Sequence, residues 1–506
     1  MENGLPILLL LLEIFTTLVL LVLVGVVIIA FILYVIDVRQ TEHTIRRNYP
    51  VIGRFRYIFE HAGSFFRQYF YAMDREELPF NRAQRSWVYR AAKNVDSTVP
   101  FGSTQSNTIP GTLVFSPHPF PSLAEAQAIS PMIIGPYCRQ PYETRSLVNV
   151  SAMSFGAISR PAVIALSRGA KMAGCWLNTG EGGLSEYHLS GGADIVFQIG
   201  TAKYGVRDLD GNLSDDKLRT IAAHPQVKMF EIKISQGAKP GKGGILPGVK
   251  VSEEIAHIRG IPPGMDSISP NGHLDIRSVG QLLDSIAHIR AITGKPVGFK
   301  MAVGSMEFFD ELCDAILARG EESAPDFITL DSGDGGTGAA PQSLLDNAGL
   351  PIRETLPLVV DKLIERGLRE RIRLIASGKL ILPVDVAWAL CAGADFVNTA
   401  RGFMFALGCI QSLQCNRNTC PTGITTHNPQ LQKGLDPTLK ANRVAQYVTN
   451  LVNEVRVIAH SCGVDCPRQL QRRHVRMVVR PGVSVPLDEL YSSAEYRAIT
   501  LQHPGH

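Results

Sequence analysis

Residues Asp326–Gly336 read DFITLDSGDGG, and this stretch decides the fold. The apolar run Phe327–Leu330 is too short for an ordinary helix, carries β-branched residues, and stops at Asp331 in a glycine-rich turn. A strand buried on both faces has this signature, and such strands belong to parallel sheets. Seven other segments repeat the pattern: SLVNVSAMSFG, CWLNTGEGG, DIVFQIGT, MFEIKISQG, PVGFKMAVG, IRLIASGK and DFVNTARG. Most are followed by a helical pattern. Eight such units over roughly 250 residues fit a closed (β/α)8 barrel, a TIM barrel, better than an open doubly wound sheet. In that architecture the chemistry gathers where strands end. Ser154, Glu181, Gln198, Lys233, Lys300, Gly378 and Thr399 fall there.

The rest of the chain constrains this barrel. A length of 506 residues leaves room for a large core, and 45% hydrophobic residues are globular. A formal charge of +4 is too small at this length to argue for a nucleic-acid partner. Nine scattered cysteines do not form the framework of a small disulfide-bonded domain. Leu5–Ile36 is almost wholly apolar and carries one charge, Glu13. It is long enough to cross a bilayer, which needs about 20 apolar residues, and we read one transmembrane helix over Leu18–Ile36. A hairpin would have to turn at Gly25, which alone is a poor turn. The acidic start MENG argues against a signal peptide. Arg39, Arg46, Arg47, Arg54 and Arg56 follow, and the positive-inside bias places the remainder in the cytoplasm. The aromatic and basic stretch FRYIFEHAGSFFRQYFYAMDREELPF suits either a membrane-surface helix or a cover for the barrel, and the cover is the more ordinary use of such a stripe. The expected layout is an anchor over 1–38, a covering segment over 39–145, the barrel over 146–408, a cysteine loop over 409–425 and a helical extension over 426–506.

The candidate site residues carry their own chemistry. Gly333, Gly335, Gly336 and Gly338 leave a strand and let backbone N–H groups close on an anion, and ASGK and NTARG on the next strands add further amides. A flexible loop would look the same, but late barrel strands commonly build phosphate sites. Lys233 and Lys300 interrupt apolar strands, where a lysine needs a negative partner. That partner is either a structural acid or a bound anion, such as a cofactor that turns anionic on reduction or an acidic substrate. Gln236 and Lys239 follow Lys233 at three-residue steps and extend a donor set suited to a dicarboxylate. In GCIQSLQCNRNTCPTG, Gly408–Gly423, three cysteines stand with five and then four residues between them. Structural zinc prefers closer pairs and a fourth ligand, for which His427 could serve. An iron–sulfur loop, with Pro421 after the last cysteine, fits better.

Taken in order, NVSAMSFGAIS, NTGEGG, EIKISQGAKPG, LPGVKV, ISPNGHLDI, DSGDGGTGAAP, NAGLP and GCIQSLQCNRNTCPTGI closely resemble the FMN-binding synthase domain of glutamate synthase, over about Ser146–Val464. With its apolar N-terminal run the chain resembles the short bacterial glutamate-synthase-like proteins. The resemblance implies an oxidoreductase acting on CH-NH2 donors that carries FMN and a 3Fe-4S cluster. It would reduce the imine of 2-oxoglutarate to L-glutamate, or to an N-alkylglutamate if a small amine replaces ammonia. It also implies roles for individual residues. Ala152, Met153 and Ser154 would lie against the flavin, Glu181 near it, and Lys300 on the side where charge develops. Lys233, Gln236 and Lys239, with Lys203, would bind the keto acid. Gly335, Gly336, Gly338, Gly378 and Thr399 would surround the phosphate, and Cys409, Cys415 and Cys420 would ligate the cluster. Lys233, Glu181 and Lys300 are the expected catalytic set.

Departures from the family pattern bear on the substrate. AKYGV puts Lys203 where the family has arginine, KPGKGG puts Lys242 where it has an acid, and ASG replaces a DGG. A membrane helix stands where the amidotransferase domain is expected, so ammonia would come free or from a separate amidotransferase. The electron donor would be a ferredoxin or a reductase subunit. A second class of function stays open here, a membrane-tethered protein whose flavin and cluster only pass electrons.

Overall fold

Short β-branched runs alternating with amphipathic helices close on themselves in the computed structural model, which describes residues 4–123 and 129–492. Parts of three expected segments, residues 1–3, 124–128 and 493–506, lie outside the described residues. The chain divides into two compact units, Met1–Ala83 and Gln84–His506.

In the second unit all eight runs are strands: β1 (Val148–Val150), β2 (Leu177–Asn178), β3 (Ile195–Ile199), β4 (Val227–Lys233), β5 (Val297–Ala302), β6 (Phe327–Asp331), β7 (Arg373–Ser377) and β8 (Phe396–Thr399). Each pairs in parallel with its sequence neighbour, and β8 returns to β1, so the sheet is a closed barrel with no free edge. The intervening helices begin at serine caps: Ser159, Ser214, Ser252 and Ser278 each accept a backbone N–H three residues on. Glycine in the left-handed region ends several of them, at Gly174, Gly260 and Gly294.

The two ends of the barrel differ. Near the starts of the strands, Trp176, Val196, Met229, Phe327, Ile375 and Phe396 pack with Ile134 and Tyr142 into one buried cluster. Ile134 and Tyr142 belong to an antiparallel pair, Met132–Ile134 with Tyr142–Thr144. Each of these large side chains contributes about 2 kcal/mol by leaving water. The apolar floor leaves the opposite end, where strands terminate in polar residues, to hold a site.

The C-terminal stretch is not wholly helical as expected. Pro437–Ser461 is a long helix, but Val475–Arg480 and Val483–Pro486 pair antiparallel, and Leu113–Phe115 adds a third strand. The buried positions of VRMVVR, Val475 and Val478, are three residues apart, so burial alone does not mark a strand; pairing with Leu113–Phe115 on one side and Val483–Pro486 on the other makes it one. The segment expected over 39–145 is shared between the units, since Arg82–Ala92 lies almost wholly in the second and Leu113–Phe115 wholly so.

The first unit holds one uninterrupted helix, Gly4–Arg39, longer than the span read from sequence and passing through Gly25 without a turn. It is the one described helix long and apolar enough to cross a membrane, judged by length and composition. Thr44–Asn48, Gly53–Phe66 and a wide helical turn, Arg67–Tyr71, follow it.

Candidate functional site

One cleft opens at the C-terminal ends of the strands. Its wall includes Ala152, Met153 and Ser154 after β1, Glu181 after β2, Gln198 from β3, Lys233, Gln236 and Lys239 from β4 onward, and Lys300 from β5. Gly336, Gly338, Gly378 and Thr399 line it from the late strands.

Register sets the central charges. Lys233 and Lys300 are partners across β4 and β5, so two buried ammonium groups stand side by side. Separate acids keep them compatible. Lys233 Nζ donates to Glu181 Oε1 at 2.9 Å, and Lys300 Nζ lies 3.1 Å from Asp331 Oδ2. Burial opposes charge on Lys300, but Asp331 and Glu231 outweigh it and hold the ammonium above its ordinary range. Burial likewise opposes charge on Glu181, and Lys233, Lys239 and Arg259 overcome it, so this carboxyl sits below its ordinary value. Glu181 is closely confined: a Cβ on Gly244 would lie 2.4 Å from Glu181 Oε1.

Lys239 differs from its neighbours. It is buried against the cleft and has no ion-pair partner among the described residues. Burial and the nearby charge of Lys233 bring its pKa down to about 8. A cation so placed invites an anion. Gln236 stands with it on the same wall.

The late-strand glycines form a cradle. Gly378 has φ +122°, and a Cβ there would lie 2.1 Å from Ser332 Cβ, so no other residue fits. The backbone N–H groups of Gly336, Thr337, Gly338, Gly378 and Lys379 donate to nothing among the described residues. Arg401 reaches into the same corner, with Nη2 donating to the Thr337 carbonyl at 2.5 Å. Unsatisfied amides converging beside a cation suit a phosphate, so the residues present fit FMN.

Two expected residues lie elsewhere. Lys203 does not line the cleft, and its Nζ donates to Asp275 Oδ1 at 2.8 Å. Gly335 is also off the wall, its amide turned back to the Ser332 carbonyl at 2.9 Å.

The cysteine loop borders the cleft through Cys415 and Asn416. Gln411, Leu413 and Asn418 adopt positive φ, winding the loop so that Cys409, Cys415 and Cys420 sense one another electrostatically. Burial raises the Cys409 thiol. Burial opposes ionisation of Cys420 too, but hydrogen bonds from Thr422 and Thr425 prevail and lower it. His427 Nε2 donates to the Gly156 carbonyl at 2.8 Å, and burial lowers its pKa to about 4. Among the described residues no group of three or more His, Cys, Asp or Glu side chains surrounds a single metal ion.

Sequence reading missed Lys250 and Arg259, both in the long connection between β4 and β5 and both on the cleft wall. Lys250 Nζ donates to the Ala157 carbonyl at 2.8 Å and to the Cys415 carbonyl at 3.4 Å, tying the cysteine loop to the turn after β1. Its signal was a lysine between valines in GVKV. Arg259 donates to Ser267 Oγ at 3.0 Å and to Ser154 Oγ at 3.4 Å, and its guanidinium lies over Tyr204. A basic residue in a helix's last turn reads as an ordinary cap, so it carried no signal.

Residues 120–465 match the conserved region in glutamate synthase. The chain is 39% identical to the glutamate synthase large subunit-like protein YerD of Bacillus subtilis, across 92% of this chain and 97% of that protein. It is 35% identical to an archaeal-type glutamate synthase [NADPH] of Thermotoga maritima, across 64% of this chain and 61% of that one. Identity is also 35% to the archaeal glutamate synthase [NADPH] of Methanocaldococcus jannaschii, across 65% of this chain and 61% of that protein. The matched region therefore spans less than two thirds of those two synthases.

Proposed function

We propose, from the premise that this chain belongs to the glutamate synthase family, that it reduces the imine of 2-oxoglutarate to L-glutamate or an N-alkylglutamate. Family membership makes it an oxidoreductase acting on CH-NH2 donors. The observation that carries the finer reading is the buried Lys239, without an ion-pair partner among the described residues, beside the Lys233–Glu181 pair. A pocket that merely housed a flavin has no need of a cation left over after its own acids are matched.

In this reading Lys239 and Gln236 take one substrate carboxylate, and Lys233 shares its ammonium between Glu181 and the substrate. Glu181, kept ionised by its cationic neighbours, accepts the N–H of the protonated imine at a carboxylate oxygen and so orients the C=N bond. Lys300 stays protonated and balances negative charge at the cofactor. The amides of Gly336, Gly338 and Gly378 would hold the FMN phosphate with Thr399 beside them, and Ala152, Met153 and Ser154 would lie against the flavin. Bound FMN supplies the hydride that adds to the imine carbon. Cys409, Cys415 and Cys420 would hold a 3Fe-4S cluster, whose chemistry when bound would be one-electron transfer, and the electron donor would be a ferredoxin or reductase subunit. Ammonia arrives free, from a separate amidotransferase, or is replaced by a small amine. The apolar helix Leu9–Arg39 spans a membrane, with the arginines behind it keeping the barrel cytoplasmic.

Anaerobic stopped-flow kinetics test this on the full chain. Photoreduced protein should reoxidise with 2-oxoglutarate only when ammonia or a small amine is present, with glutamate or its N-alkyl form as product. Lys233→Ala should retain FMN yet slow this step roughly 30- to 1000-fold, the usual worth of a charge-assisted contact, ~2–4 kcal/mol. If no pairing of 2-oxo acid and amine reoxidises the flavin faster than buffer, the protein is an electron carrier.

A further inference from the structure

We infer that the helix Gly53–Phe66, with the turn Arg67–Tyr71 that continues it, is a second membrane-contacting element whose aromatic face lies on lipid at the bilayer surface. The inference adds a contact to the reading of Leu9–Arg39 as a span. At about 100° per residue, Phe55, Ile58, Phe59, Phe66, Tyr69 and Phe70 share one arc of roughly 120°. Rings one turn apart confirm the common face, with Phe55 and Phe59 centroids 6.4 Å apart and Phe66 and Phe70 5.9 Å apart. Arg56, Glu60 and Arg67 occupy the other side.

Such a face normally packs on a core, yet here it stays largely exposed: Phe55 is 54% exposed, Phe59 66% and Phe70 76%. A contiguous apolar stripe of this size in water is costly and marks a contact surface. Lipid is the occupant its position favours. The helix begins fourteen residues after the end of the apolar helix, counting from Arg39 to Gly53, and is pinned to it. Asp37, fully buried, is held by Arg46 at 2.8 Å, by Arg54 at 2.8 Å and by the Val51 amide at 3.0 Å. Two of those donors, Val51 and Arg54, sit at the entry to the amphipathic helix, so the chain turns back where the span ends. Phenylalanine and tyrosine suit the headgroup–acyl boundary, and Arg47, Arg56 and Arg67 complement anionic headgroups.

The test uses the full chain reconstituted in vesicles of phosphatidylcholine with phosphatidylglycerol. Phe59→Trp and Phe66→Trp report on the aromatic face and Glu60→Trp on the opposite one, each read as the difference from the parent chain. Lipids brominated near the headgroup should quench the first two roughly twofold or more beyond the third. Resistance to carbonate extraction, measured on the same vesicles, reports the span separately. Quenching without carbonate resistance would keep this inference and remove the span. Equal quenching of all three positions, with or without carbonate resistance, would overturn the inference and leave the face to a second copy or to the barrel unit.

Discussion

Lys239 concentrates what a single residue adds to this site. Its pKa is brought down to about 8 by burial and by Lys233, so its charge is present below that pH and lost above it. A carboxylate clamp that depends on the charge weakens as pH rises, by at most about tenfold per pH unit. We therefore expect the dissociation constant of 2-oxoglutarate, followed by flavin absorbance on the oxidised protein, to climb above pH 8. In Lys239→Met the affinity should be poorer and nearly flat over the same range. An unchanged climb in that variant would assign the effect to another group. Residue by residue, the site was partly legible. Lysine inside an apolar strand announces a charge that must be answered, as Lys233 and Lys300 do. Which acid answers it could not be read, because Glu181 and Asp331 come from other strand ends, 52 and 31 positions along the chain respectively.

At the scale of elements, the cysteine loop and the turns around it act as one piece. Lys250 ties the loop to the turn after β1, and Thr426 and His427 fasten it to Asn418, with Thr426 Oγ1 donating to the Asn418 carbonyl at 2.6 Å. Serine at Cys409, Cys415 or Cys420 should each abolish bound iron and acid-labile sulfide, along with the low-temperature paramagnetic signal of an oxidised 3Fe-4S centre. Cys462→Ser should spare them, since Cys462 closes the helix Pro437–Ser461 with its thiol towards the His474 carbonyl at 3.8 Å. Stoichiometric zinc in place of iron would sink the cluster reading. Strands of the barrel were legible because a buried parallel strand leaves an unbroken apolar run. The strand Val475–Arg480 was passed over, since only its partners Leu113–Phe115 and Val483–Pro486 make this short segment part of a sheet.

The whole molecule combines a barrel unit with a unit dominated by one apolar helix, and membrane association should follow that division. The full chain should resist carbonate extraction. A chain beginning at Gln40 should lose that resistance but bind anionic vesicles reversibly through Gly53–Tyr71, and release in high salt. A chain beginning at Gln84 should stay in the supernatant with its flavin. Pelleting of this shortest form with washed vesicles would place a further membrane contact in the barrel unit.

Periodicity and punctuation are local properties, so the eight strands, the apolar helix and the positions where charged residues interrupt them could all be read along the chain. The closed order of the strands followed from those units, since sequential βαβ connections of one hand leave little else to build. The pairing of charges could not be read in this way. Lys203, plausible as a carboxylate ligand by its motif, is taken by Asp275, whereas Lys239 is left over. Arg259 enters the cleft from a helix end that looks like any other. Ion pairs depend on distance in space and on burial, which neighbours in sequence do not specify, so the partner each lysine keeps was settled when the barrel closed.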